Sequence, residues 1–274
     1  MSRLRFAAGL LIGAFIGTRC GSLQRRFVFE GADIAGTARS DEEVRCGTGN
    51  PGAISGAASP RQCWRDVPGG FKGNFVYEAV IDKFASTGSS CAFVEIGALM
   101  GQSTCYMARA LRRKNITHVK FDVIDFWASL HDTRSDVSHS WLTPEQMQAA
   151  QRFGKGEMSM AWHYYMLHTE SWGMLNNVFH ASSTDRRIVA KYKNSSVDFV
   201  YLDTAHDARV TRHELSLWWP KVKIGGWLCG DDYDPSTPQS SLRRYREAVD
   251  TWFGARGFRV KYWGQQQFCV ENTG

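Results

Sequence analysis

Nowhere in the 274 residues does a run of lysine and arginine reach five, although the net charge is +6 and the isoelectric point about 9.0. The basic excess lies in short RR and KxK groups, without the aromatic-interleaved stripe that tracks a nucleic-acid strand, so nucleic acid is not the expected partner. There is no CxxC pair and no Cys/His spacing of the zinc type, and the seven cysteines are an odd number, which removes the zinc-ribbon and CxxC redox classes. The GxGxxG dinucleotide fingerprint is absent, and no internal repeat is visible. The apolar run Phe6–Gly17 has 12 residues, short of the roughly 20 that a membrane-spanning helix needs.

What is present is ordinary for a globular chain: 43% hydrophobic and 22% charged residues, in a length sufficient for one large domain and an appendage. Residues 1–30 pair a basic start, MSRLR, with the apolar run and then Arg19, Arg25 and Arg26 ahead of the first acid, Glu30. This predicts entry to the secretory pathway, with residues 6–17 as a cleaved signal core or a membrane anchor; an organellar transit segment, mitochondrial or plastid, is the alternative. Two sequons, at Asn115 and Asn194, are compatible with a lumenal site. Residues 31–69 are rich in Gly, Ala, Ser and Arg and are expected to form an irregular linker, with 70–274 as the folded domain. Cys46 and Cys63 could pair in an oxidising compartment. Cys91, Cys105, Cys229 and Cys269 sit in apolar runs and read as small core residues.

From Phe71 onward, periodicities of strand and helix alternate. NFVYEAVIDKFAST, from Asn74 to Thr87, carries Phe75, Ala79, Val80 and Phe84 at helical spacing. CAFVEIGA, VKFDVIDFW, VFHASS, VDFVYL and GGWLCG read as strands. Between them STCYMARALRRK, the aromatic stretch Met160–Leu175, Arg209–Trp219 and SSLRRYREAVDTWFGA read as helices. FRVKYW and QQFCVEN would close the chain as an antiparallel hairpin. The alternation predicts an α/β fold with a parallel sheet. Residues 128–158 are polar and are expected to form an inserted lid.

The first strand runs into FVEIGALMGQST, an ExGxxxGxS pattern. Glycines at a strand-to-helix turn let a ligand approach the backbone closely. An acid ahead of them is unsuited to a pyrophosphate but suits an amine-bearing ligand. Asp125, at the end of the second strand, can grip two ribose hydroxyls. On these residues the chain from about Gly70 to Asn272 resembles the class I S-adenosylmethionine-dependent methyltransferases, most closely the metal-dependent small-molecule and sugar O-methyltransferases. The resemblance implies a Rossmann-like, seven-stranded, mostly parallel sheet with a C-terminal antiparallel hairpin and helices on both faces. It implies that Glu95, Gly97 and Gly101 line the amino-acid end of the cofactor, that Ser103 caps the next helix, that Asp125 takes the ribose and that Ser182 or Ser183 lies near the adenine.

The stretch VDFVYLDTAHDARVTRHEL ends a buried strand in Asp203, His206 and Asp207, and the next strand ends in Asp231 and Asp232. In a parallel sheet those strand ends are neighbours, so Asp203, Asp231 and Asp232 would converge. Three close anions repel unless a cation sits among them, and hard oxygen donors suit Mg²⁺. His206 has the pKa range of a general base, and the resemblance agrees with a base three residues after the strand-end acid. Asp207 is expected to cap the helix beginning at Ala208. No Asn/Asp-Pro-Pro-aromatic motif follows the fourth strand, which disfavours N-methylation of nucleic acid. The expectation is therefore Mg²⁺-assisted O-methylation of a small-molecule or sugar hydroxyl. The alternative is a membrane-anchored, catalytically inactive binding module of the same fold.

Overall fold

VDFVYL (β4, Val197–Leu202) is buried at every position, and CAFVEI (β1, Cys91–Ile96) at all but one. Near-continuous apolar runs of this kind belong at the centre of a sheet covered on both faces. In the computed structural model, which describes Trp64, Val67 and residues 69–86, 88–127, 173–204, 206–234 and 240–274, these two strands are adjacent and parallel, with Phe93 opposite Phe199 and Ile96 opposite Leu202. The other strands are β2 (Val119–Asp125), β3 (Leu175–His180), β5 (Val222–Gly230), β6 (Lys261–Gly264) and β7 (Gln267–Glu271). They form one seven-stranded sheet in the order 3-2-1-4-5-7-6. Only β7 runs against its neighbours, β5 and β6. The segment 1–30, nearly all of the linker, the inserted 128–158 and residues 160–172 of the expected aromatic helix lie outside the described residues. Among the described residues no helix is long and apolar enough to cross a membrane.

Alternate residues of each strand feed opposite faces. Phe93, Phe199 and Tyr201 pack with α1 (Asn74–Val80) and α2 (Gln102–Arg113), while Val94, Val200 and Leu202 join Leu215, Trp218 and Phe253 from α4 (Ala208–Trp218) and α5 (Ser240–Gly254). A short α3 (Arg186–Val189), capped by Asp185, precedes β4. α1 forms as expected but is rotated about its axis. Val76, Tyr77, Val80 and Ile81 are fully buried, whereas Phe75 and Phe84 only lean on the core. The helix then continues as a π-turn, Ile81–Ala85. The expected linker is anchored at its end. Val67 is buried and Trp64 packs edge-on to Tyr106.

Two expectations need correction. Leu175, assigned to the end of the aromatic helix, opens β3 instead. Cys229 and Cys269 are buried but do not act as isolated core thiols: they face each other across β5 and β7 and form a disulfide. The pairing depends on the antiparallel register of the last strand, which brings together two residues 40 positions apart. Cys91 and Cys105 are buried, as their apolar surroundings predict.

Candidate active site

The strand order reverses between β1 and β4, so the loops after these strands diverge and leave a crevice at their C-terminal ends. The backbone there is stitched tightly. Gly97 N donates to Ile124 O at 2.9 Å, and Asp203 N to Ile96 O at 2.8 Å. Gly97 has φ +94°, and a Cβ on it would lie 2.5 Å from the carbonyl carbon of Asp203. Only glycine allows the β1 loop and the β4 loop to pass this closely. Gly101, at φ +88°, turns the chain into α2.

Asp125 closes the glycine loop from the side. Its carboxylate accepts the backbone N–H of Leu99 and of Trp127, each at 2.6 Å, and Trp127 Nε1 donates to Leu99 O, also at 2.6 Å. Burial raises the Asp125 pKa, against these N–H groups, which lower it. A carboxylate offers about four acceptor positions, more than these N–H groups use, so room remains for a hydroxyl donor. Glu95 lies deeper. It is 1% exposed and accepts from Ser103, from Thr104 at 2.6 Å and from Tyr77 at 3.2 Å. Burial pushes its carboxyl up to about 7, opposed by those three hydroxyls. Ser103 therefore does not cap α2, where Gly101 holds the cap position without a side-chain bond. It ties α2 to Glu95 instead, because at the second helical position its hydroxyl points inward. Ser183 follows β3 as expected, yet its carbonyl accepts Trp218 Nε1 at 2.8 Å. Ser183 thus engages α4 through its backbone. Ser182 pairs with Thr184 at 3.0 Å.

Across the crevice Asp203, His206, Asp231 and Asp232 come together. His206 Nδ1 stands 3.2 Å from Asp232 Oδ2, and its Nε2 stands 3.6 Å from Asp203 Oδ1. That Nε2 is buried without a hydrogen-bond partner. Both His206 (φ +52°) and Asp232 (φ +55°) hold left-handed backbone conformations, a strain that non-glycine residues carry mainly at functional sites. Burial lowers the His206 pKa, with Asp232 opposing. Asp203 is raised well above the carboxylate range by burial, then by Asp231, Asp232, Glu95 and Asp125. Asp231 is pushed up to about 7 by burial and by Asp232, against the Asp232 N–H, Lys72 and Gln267. Asp207 caps α4 as expected, accepting from Arg209 N at 2.9 Å and Val210 N at 3.0 Å.

The chemistry of this donor set suits a hard cation: oxygen donors crowd together, Asp231 and Asp232 raising the pKa of Asp203, and Asp232 that of Asp231. Among the described residues, however, no three His, Cys, Asp or Glu side chains are drawn into a finished metal-binding group. One oxygen of Asp231 already accepts from Asp232 N at 2.8 Å and from Gln267 Nε2. The carboxylates are thus gathered but not closed on a common point.

Several site residues left no motif in the sequence. Gln267, fully buried at the start of β7, bridges Tyr201 Oη and Asp231. It is delivered by a tight turn in which Gln265 and Gln266 both take positive φ, the geometry usually supplied by Asn-Gly. Lys72 donates to Gln266 at 3.1 Å, and Gln102 accepts from Phe71 N at 2.9 Å, so the segment before α1 borders the site.

Residues 94–233, just over half of the chain and spanning the loop, Asp125, Asp203, His206 and the Asp231–Asp232 pair, match the family model described as a methyltransferase domain. The chain belongs to this methyltransferase family. Its sheet order and glycine loop are those of the class I S-adenosylmethionine-dependent fold. No curated protein sequence matches. Solved structures similar to this methyltransferase domain include the O-methyltransferase NovP, at 14% identity and TM-score 0.48 over 80% of this chain and 83% of that one. The calicheamicin methyltransferase CalS11 shows 10% identity and TM-score 0.46 over 72% and 77%. The CurJ carbon methyltransferase shows 13% and 0.45 over 73% and 54%. These likenesses leave the acceptor atom open.

Proposed function

We propose that this methyltransferase acts on a hydroxyl oxygen of a small molecule or sugar, with His206 as the general base. The observation that carries the reading is the state of His206. Asp232 Oδ2 stands 3.2 Å from Nδ1, which favours the proton on that nitrogen and leaves the unpartnered Nε2 as an acceptor. S-adenosylmethionine, when bound, supplies a methyl group on a positively charged sulfur. His206 Nε2 would accept the hydroxyl proton as the carbon–oxygen bond forms and the carbon–sulfur bond breaks, S-adenosylhomocysteine leaving, and Asp232 would stabilise the resulting imidazolium. Asp125 would hold the ribose through its remaining acceptor positions. Asp203, Asp231 and Asp232 would hold Mg²⁺, which would orient the acceptor oxygen and lower its pKa. Glu95, enclosed by Tyr77, Ser103 and Thr104, would set the shape of the loop.

The Cys229–Cys269 disulfide supports an oxidising compartment, in keeping with secretory entry. The test of the reading is a screen of sugar and small-molecule hydroxyls, with and without Mg²⁺, following S-adenosylhomocysteine release. His206→Gln is expected to bind the methyl donor normally and to lose about 10²- to 10⁴-fold in turnover. Turnover by His206→Gln at the parent rate would remove the base. Donor binding with no product from any acceptor class would favour the binding-module alternative.

A further inference from the structure

The first turn of α4 and the beginning of α5 leave an unexplained concentration of positive charge beside His206. Arg209 and Arg212 lie three residues apart on one face of α4, and Arg244 comes from α5, which packs against it. With His206, Asp207 and Ala208 they line a cavity of about 240 Å³. Three other surface arginines have acidic partners: Arg187 with Asp185, Arg243 with Glu247 and Arg113 with Glu78. Arg209, Arg212 and Arg244 make no ion pair within 4 Å among the described residues. The positions four residues onward, which would hold a helical partner, are His213, Ser216 and Ala248. Arg212 Nη1 makes only a long bond of 3.4 Å to Ala208 O. The sole carboxylate in the wall, Asp207, caps the helix; the backbone N–H groups of Val210 and Arg209, then the charges of Arg209 and Arg244, hold its pKa below the usual range. The cavity thus carries three guanidinium groups against one engaged acid.

Its position matters as much as its charge. The glycine loop and Asp125 belong to the β1–β2 side of the crevice, where the methyl donor is expected. The arginine cavity lies on the β4–β5 side and shares His206 with the candidate active site. An anion held there would sit beside His206. Guanidinium groups converging from two helices can engage several oxygens of a tetrahedral oxyanion at once.

We infer that the methyl acceptor is a phosphate or sulfate ester, docked through its oxyanion between Arg209, Arg212 and Arg244. This inference rests on the proposed function, and the experiment separates the two. The full-length protein is titrated with inorganic phosphate, with inorganic sulfate and, independently, with S-adenosylmethionine. The proteins compared are the parent, an Arg212→Gln/Arg244→Gln double variant, and Arg243→Gln as a control outside the cavity. Saturable phosphate or sulfate binding is expected in the parent and in Arg243→Gln. The double variant should lose at least about tenfold in affinity, since each charge-assisted contact is worth a factor of ten or more. The arginines are exposed, so the double variant should keep its far-ultraviolet spectrum and its donor affinity. A preference for one anion identifies the ester. Absence of saturable binding to either anion, or equal affinity in the parent and the double variant, overturns the inference even if the donor binds. Failure to bind the donor overturns the methyltransferase function, whereas the presence or absence of the anion site is still read from the phosphate and sulfate titrations.

Discussion

Replacing Gly97 by alanine probes the junction on which both halves of the site depend. The new Cβ would meet the Asp203 carbonyl group, 2.5 Å from its carbon and 3.3 Å from Thr204 N, and both are backbone atoms. No side-chain rotation can relieve the clash, so either β1 or β4 must yield at its end. The positive φ of 94° adds its own penalty. A left-handed conformation costs a non-glycine residue about 1–2 kcal/mol, and overpacking a dense interior typically adds about 1–3 kcal/mol. The expected loss is therefore about 2–5 kcal/mol, together with displacement of Asp203 and weaker donor binding. Gly88→Ala is the matched control, with φ +76° and nothing within 4 Å of the added carbon; it should cost only about 1–2 kcal/mol. Urea denaturation of the full-length variants, followed by tryptophan fluorescence, measures both. Equal stability of Gly97→Ala and Gly88→Ala would refute the claim that this glycine exists for the close passage of the two loops.

Two further outcomes follow from the buried groups. The Glu95 carboxyl sits at about 7 in the folded protein against an ordinary value of 4.5, so the folded state binds its proton more tightly. Its contribution is fully favourable below the ordinary value and is lost as pH rises through the folded value, by about 3 kcal/mol in all. Glu95→Gln should flatten that part of the parent's decline in urea stability between about pH 5 and about pH 8; an unchanged slope would contradict the assignment. Removing the Cys229–Cys269 link, which closes 40 residues, should cost about 4 kcal/mol by loop entropy. The same transition midpoint in Cys229→Ala/Cys269→Ala as in the oxidised parent would contradict it.

Much of the fold is legible in the sequence because its signals are local. The apolar runs of β1 and β4, the acids that end them and the capping role of Asp207 each lie within one short stretch, where periodicity and residue type decide the outcome. The family pattern then supplies the strand count and the closing hairpin. What escapes depends on alignment between distant segments. Cys229 meets Cys269, and Gln267 meets Asp231, only through the register of β5 with β7. The inward turn of Ser103 depends on α2 lying against Glu95 and Tyr77. The arginine cavity needs two helices brought side by side, and the three residues lie too far apart to form a run. The helical spacing locates α1 but not its buried face, since Phe75 and Val76 are equally apolar and packing alone selects between them.

The central claim is a methyl-donor site on the β1–β2 side and a separate acid cluster on the β4–β5 side. Isothermal titration of S-adenosylmethionine into the full-length protein, with and without Mg²⁺, tests it most directly when Asp125→Ala and Asp203→Ala are measured alongside. The account predicts donor binding by the parent, its loss in Asp125→Ala alone, and Mg²⁺ uptake that disappears in Asp203→Ala. A parent protein that does not bind the donor would contradict the account.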